Sequence, residues 1–98
     1  MALSAKQIRF LRSQAHHLKP VVMVGQNGLK TSILDEIEVV LDHHELIKVK
    51  IAADKDERTQ ITNEIIKSSR AELVQMIGQM TVLFRRNPEK PKIALPSK

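Results

Sequence analysis

Along the chain the apolar positions switch repeatedly between helical and strand spacing. Ile8, Leu11, Ala15 and Leu18 recur at intervals of three and four, which draws a single stripe on a helix. Ser4 with Gln7 forms a capping box ahead of that stripe, and Leu3 and Ile8 are placed as its hydrophobic staple. Pro20 stops the helix, because it lacks an N–H and pushes Lys19 out of the α region. Val21-Val22-Met23-Val24 is an unbroken apolar run, predicted as a strand buried on both faces. After Gly25-Gln26-Asn27-Gly28 a second helix begins between Lys30 and Ser32 and runs to about His44, with Ile33, Ile37, Val40, Leu41 and His44 on its inner face.

Leu46 to Ile51 alternates, Ile47, Val49 and Ile51 toward a core and Lys48 and Lys50 toward water. Asp54 with Glu57 opens a third helix through Ile61, Ile65 and Ile66 to about Arg70. Leu73 to Ile77 and Thr81 to Arg86 read as two strands joined by a tight hairpin at Gly78-Gln79-Met80. The order α-β-α-β-α-β-β predicts an α/β two-layer sandwich, a four-stranded mixed sheet with helices packed on it. Residues 1–86 form one domain in this reading. Residues 87–98 are a Pro- and Lys-rich tail, extended because Pro88, Pro91 and Pro96 forbid regular structure, with Ile93 and Leu95 as its docking points.

Composition and segment hydropathy change this picture in four ways. Phe10 and Phe84 are the only aromatic residues, so a platform for stacking a run of unpaired bases is missing. Cysteine is absent, which excludes a disulfide framework and a thiolate zinc site. No segment has the apolar run of a secretory signal or a membrane span, so a cytoplasmic protein without membrane contact is expected. The 16 Lys and Arg residues against 11 acidic ones give a net charge of +5, which favours a polyanionic partner.

The charges are also polarised. The first helix contains no acidic residue, and the face opposite its apolar stripe holds Lys6, Arg9, Ser13 and His16, with Arg12 and Lys19 near the border. The second helix carries Asp35, Glu36, Glu38 and Asp42 on its outer side. Gly25 to Gly28 lie between a strand and a helix, where glycine allows close approach to another molecule and backbone N–H groups meet the positive end of a helix dipole. A sugar–phosphate backbone fits such a site, as in the Gly-x-x-Gly clamp of KH domains. Lys30 stands beside it.

The run Leu11 to Leu29, with Pro20-Val21-Val22-Met23-Val24-Gly25-Gln26-Asn27-Gly28-Leu29 at its centre, resembles the signature of the CRM (chloroplast RNA splicing and ribosome maturation) domain family. Ala71-Glu72-Leu73-Val74-Gln75-Met76-Ile77-Gly78 and Val82-Leu83-Phe84-Arg85 resemble its closing strands, so the likeness spans about Leu3 to Arg86. The resemblance implies a fold akin to the C-terminal domain of a bacterial translation initiation factor. It also implies RNA binding through Gly25, Gln26, Asn27 and Gly28 and the basic surface around them. The stand-alone bacterial, YhbY-like members are associated with precursors of the large ribosomal subunit, so rRNA is the implied partner. Gln26 departs from the lysine that family members often carry after the first glycine, which shifts phosphate contact toward backbone amides and Lys30.

The expected RNA surface therefore comprises Gly25, Gln26, Asn27, Gly28, Lys30, Lys6, Arg9, Arg12, His16 and Lys19, with Arg85 and Arg86 at its edge. Lys48 and Lys50 fit either an RNA contact or simple solubility of an open sheet face. The pairs His16-His17 and His43-His44 lack the i, i+4 spacing of helical metal ligands, so no metal or cofactor is expected. No nucleophile motif or nucleotide fingerprint is present either, and no enzyme is expected. The RNA-binding protein is expected to be a monomer. The rival reading is a protein–protein adaptor working through the acidic second helix and the tail, for which Phe10 is one candidate anchor.

Overall fold

The computed structural model describes residues 2–98. Helices α1 (Ala5–Ala15), α2 (Thr31–His44) and α3 (Lys55–Ser69) alternate with strands β1 (Val22–Val24), β2 (Leu46–Ile51), β3 (Glu72–Ile77) and β4 (Met80–Phe84). The strands form one mixed sheet in the order β1-β2-β4-β3, β1 parallel to β2 and the other neighbours antiparallel.

The local signals act as their chemistry requires. The Ser4 side chain accepts from the Gln7 N–H while Gln7 accepts from the Ser4 N–H, closing the capping box. Asp54 accepts from the Glu57 N–H at the start of α3. Gly78, at φ +56°, takes the first central position of the β3–β4 hairpin, where positive φ matches the twist of the strands.

Helices cover both faces of the sheet, so the arrangement has three partial layers in place of two. Alternation along the central strands divides the core. Ile47, Val49 and Ile51 of β2 and Leu83 of β4 face α2 and α3, against Ile37, Leu41, Ile61 and Ile65. Leu46, Val82 and Phe84 face the other way, against Leu11 and Ala15 of α1. Leu11 and Ile37 are each fully buried, which contributes roughly 1.5–3 kcal/mol per side chain. Sequence spacing places each helix stripe but not the side of the sheet it lands on.

The tail completes the α1 layer. Ile93 and Leu95 pack against that core cluster, and the Gln7 side-chain amide donates to the Pro96 carbonyl at 2.9 Å. Glu45 holds the tail from below. It is the single residue between α2 and β2, turns the chain at φ 61°, and is fully buried. Its carboxylate accepts from the N–H groups of Asn87, Lys92 and Ile93 at 2.6, 2.7 and 2.9 Å and from the Arg86 guanidinium at 3.3 Å. Burial alone would raise its pKa, but these hydrogen bonds and Arg86 outweigh it and hold the carboxyl below the ordinary 4.5.

Four expectations are corrected. β1 is not buried on both faces: it is an edge strand, and Met23 is 59% exposed because α1 does not extend over it. His44 points to solvent instead of the core. α1 ends at Ala15, with Leu18 held by a turn to the Ala15 carbonyl. Phe10 packs against the α1-side core and is no free anchor.

Candidate nucleic-acid interface

The Gly25–Gly28 loop leaves the C-terminal end of β1 and leads into α2. The Gly28 N–H donates to the Gly25 carbonyl at 3.1 Å, closing a four-residue turn that lifts Gln26 and Asn27 into solvent. One donor expected to be free is thus occupied within the loop. Gly28 sits at φ +77°, so its lack of a side chain is required by the turn itself. Gly25 differs: its φ lies outside the left-handed region, and a Cβ there would meet nothing within 4 Å. The fold of the free protein gives no reason for glycine at position 25. A molecule seated against the loop would.

The start of α2 follows the loop after Leu29. Lys30 occupies its N-cap position in extended conformation with no side-chain cap, and no acidic residue lies in the first turn. Its carbonyl takes the Ile33 and Leu34 N–H groups at 3.0 and 3.1 Å. The N–H groups of Thr31 and Ser32 have no acceptor among the described residues. The other two helices have side-chain caps. Unpaired donors at the positive end of a helix dipole attract anions, and Lys30 adds a charge.

The sheet links this loop to α1. Met23 pairs with Lys50 across β1 and β2, and Lys50 pairs with Met80 across β2 and β4. Lys48 and Lys50 therefore project on the same face as Leu46, the α1 side. They form a line from the C-terminal end of α1, where Lys19 lies beside Lys48, toward the Gly25–Gly28 loop. Lys6, Arg9, Arg12 and His16 are exposed on α1, and the Arg12 Nε–H donates to the Val74 carbonyl at 3.4 Å. None of these lysines and arginines forms a salt bridge among the described residues.

Arg85 and Arg86 do not join this surface. They follow β4, at the end of the sheet away from the loop, since Phe84 pairs with Leu46 while Val24 pairs with Ile51. Arg85 donates to both Glu38 carboxylate oxygens at 2.9 Å, to Asp42 at 2.8 Å and to the Ser69 carbonyl at 2.9 Å. Arg86 binds Glu45 and the Ile93 carbonyl and lies 5.6 Å from the Phe84 ring centre. Both charges are used inside the fold, the outcome of an acidic α2 face and a buried Glu45 that strand periodicity does not reveal.

No described helix is long and apolar enough to cross a membrane, and no group of three or more potential metal ligands occurs among the described residues.

Comparison with known proteins gives the following matches. The model of the CRS1 / YhbY (CRM) domain matches residues 3–85. A Haemophilus influenzae protein named RNA-binding protein is 53% identical over 97 residues, covering 98% of this chain and 97% of its own. A Pseudomonas aeruginosa protein also named for RNA binding is 46% identical over 93 residues, covering 94% and 89% respectively. The solution structure of a hypothetical protein from Staphylococcus aureus superposes with a TM-score of 0.83 at 35% identity, covering 97% of this chain and all of that one.

Proposed function

The chain belongs to the CRS1 / YhbY (CRM) domain family, and from that premise we propose that it binds RNA, gripping the sugar–phosphate backbone with the Gly25–Gly28 loop and the start of α2. The observation that carries this reading is Gly25, a residue whose missing side chain serves no purpose in the free fold, beside lysines that form no salt bridge among the described residues. Backbone N–H groups at Gln26, Asn27, Thr31 and Ser32 supply donors for phosphate oxygens, and Lys30 supplies charge. Lys50, Lys48, Lys19 and, on α1, Lys6, Arg9, Arg12 and His16 extend the contact electrostatically.

With so few aromatic residues, recognition rests on RNA shape and phosphate positions more than on base stacking. Names given to the relatives in Haemophilus influenzae and Pseudomonas aeruginosa agree with this reading. The finer role we propose is that of a cytoplasmic, monomeric accessory factor on precursors of the large ribosomal subunit, without covalent chemistry. It rests on the family resemblance. The adaptor reading loses ground to two observations: Glu38 and Asp42 of the acidic helix are engaged by Arg85, and the tail is docked on the body.

In-cell UV crosslinking of the tagged protein, followed by sequencing of the attached RNA, tests the role. A focused footprint on precursor large-subunit rRNA is the expected result. Crosslinks spread over abundant RNAs in proportion to their amount would overturn the assembly role.

A further inference from the structure

The two histidine pairs, His16-His17 and His43-His44, have no part in the loop site. The fold nonetheless brings one member of each to the same place. His17 and His44 line a cleft of about 420 Å³ between the end of α1, the end of α2, the start of β2 and the docked tail. That volume falls within the roughly 300–1,000 Å³ of sites for small organic ligands. Leu18, Val21, Leu46 and Ile93 give it an apolar lining, Gln14 contributes a side-chain amide, and Lys19 and Lys48 bring positive charge. No carboxylate lines it.

From this combination we propose that the cleft takes one unpaired nucleotide of the bound RNA, its base against the apolar lining and its phosphate toward Lys19 and Lys48. The inference rests on the RNA-binding reading and extends it to a second contact. An apolar slot rimmed by cations suits a nucleotide, whose flat base is apolar on its faces and whose backbone is anionic. The Gln14 amide and the imidazoles of His17 and His44 are groups able to donate to or accept from a base edge. A slot lined with aliphatic side chains also holds a base without an aromatic platform.

Position supports the same occupant. Lys48 lines the cleft and Lys50 stands two residues further along β2 on the same face, toward the Gly25–Gly28 loop. From Lys48 to Ile51, the partner of Val24, is about 10 Å along the strand. An RNA strand held at the loop therefore has the cleft within reach of a neighbouring nucleotide, along Lys50 and Lys48.

The test compares the affinity of the full chain for two hairpin RNAs, one fully paired and one with a single unpaired nucleotide bulged from its stem, by fluorescence anisotropy. Wild type is set against Val21→Phe, which fills the cleft from a residue 43% exposed and leaves the net charge unchanged. Circular dichroism and thermal melting verify that the variant is folded, and Gln14→Ala, on the exposed side of α1, provides a second probe that adds no bulk. Wild type should prefer the bulged RNA by on the order of tenfold, the scale of one good base contact, and both variants should lose that preference while keeping their affinity for the paired hairpin. A wild type that binds both RNAs equally, or variants that keep the preference, would overturn the cleft and leave RNA binding through the loop standing. Failure of wild type to bind either RNA would overturn the loop reading, and the cleft with it.

Discussion

At one end of the sheet Arg85 and Arg86 follow β4, and their guanidinium groups are taken up by Glu38, Asp42 and Glu45. Toward the other end Lys48, Lys50 and Lys30 lead to the Gly25–Gly28 loop, and none of them has a carboxylate partner among the described residues. Both regions are basic in sequence. In the first the cations satisfy carboxylates, one of them fully buried, and fasten the tail. In the second, backbone donors at the start of α2 lack acceptors, a glycine lacks a steric reason, and Lys30 is exposed while Lys48 and Lys50 are half-buried. Charge alone does not separate the two regions; whether the charge has an internal partner does.

The largest expected effect lies at the closed end. Glu45→Ala removes the acceptor of three backbone N–H groups and the carboxylate partner of Arg86, which keeps the Ile93 carbonyl, and a urea melt should show a loss of about 3–5 kcal/mol, at roughly 1–3 kcal/mol for each buried donor left unsatisfied. RNA affinity of the protein that remains folded should be unchanged. A related pH effect has a fixed sign. The folded-state pKa of Glu45 lies below its ordinary 4.5, so its contribution is complete above about that pH and is lost as pH falls through the folded value. Thermal melts of Glu45→Gln should therefore fall less steeply than wild type below that pH.

At the open end the order reverses, with binding affected and stability spared. Replacing Lys48 and Lys50 together by Ala should reduce the slope of log affinity against log salt by roughly 1 for each phosphate that is no longer neutralised, while the melting temperature stays close to wild type. An unchanged slope would remove these lysines from the interface. The smallest effect is expected for Arg85→Gln. Its partners Glu38 and Asp42 are 46% and 66% exposed, so solvent screening limits the loss to about 1 kcal/mol, and RNA affinity should not move. A marked loss of RNA affinity would erase the contrast between the two ends.

What the sequence shows and conceals follows the same division. Capping at Ser4 and Asp54, the helix stripes and the alternation of β2 are local, so the element order and the mixed sheet are legible from spacing. The side of the sheet on which α1 lies is a long-range outcome, and with it the exposure of Met23 and the direction of Lys48 and Lys50. Arg85 reads as part of the basic surface because its partners lie 43 and 47 positions away in the chain. Glu45 escapes notice as one more acidic residue. Its signal is a single polar residue joining a helix directly to a buried strand, where the chain must turn sharply and the side chain cannot avoid the interior. Gly25 and Gly28 look alike in sequence, and only their backbone angles and surroundings separate a glycine the turn needs from one it does not.

That separation also provides the most direct test of the central claim. Substitution at Gly28 strains the turn at φ +77° and disturbs fold and binding together, whereas Gly25→Val places a side chain in open space. Thermal melting and anisotropy titration against a precursor large-subunit rRNA fragment should be run side by side on wild type and Gly25→Val. The melting temperature should be unchanged or slightly raised, with affinity reduced by on the order of tenfold, about 1.4 kcal/mol. Wild-type affinity in a stably folded Gly25→Val protein would contradict the central claim.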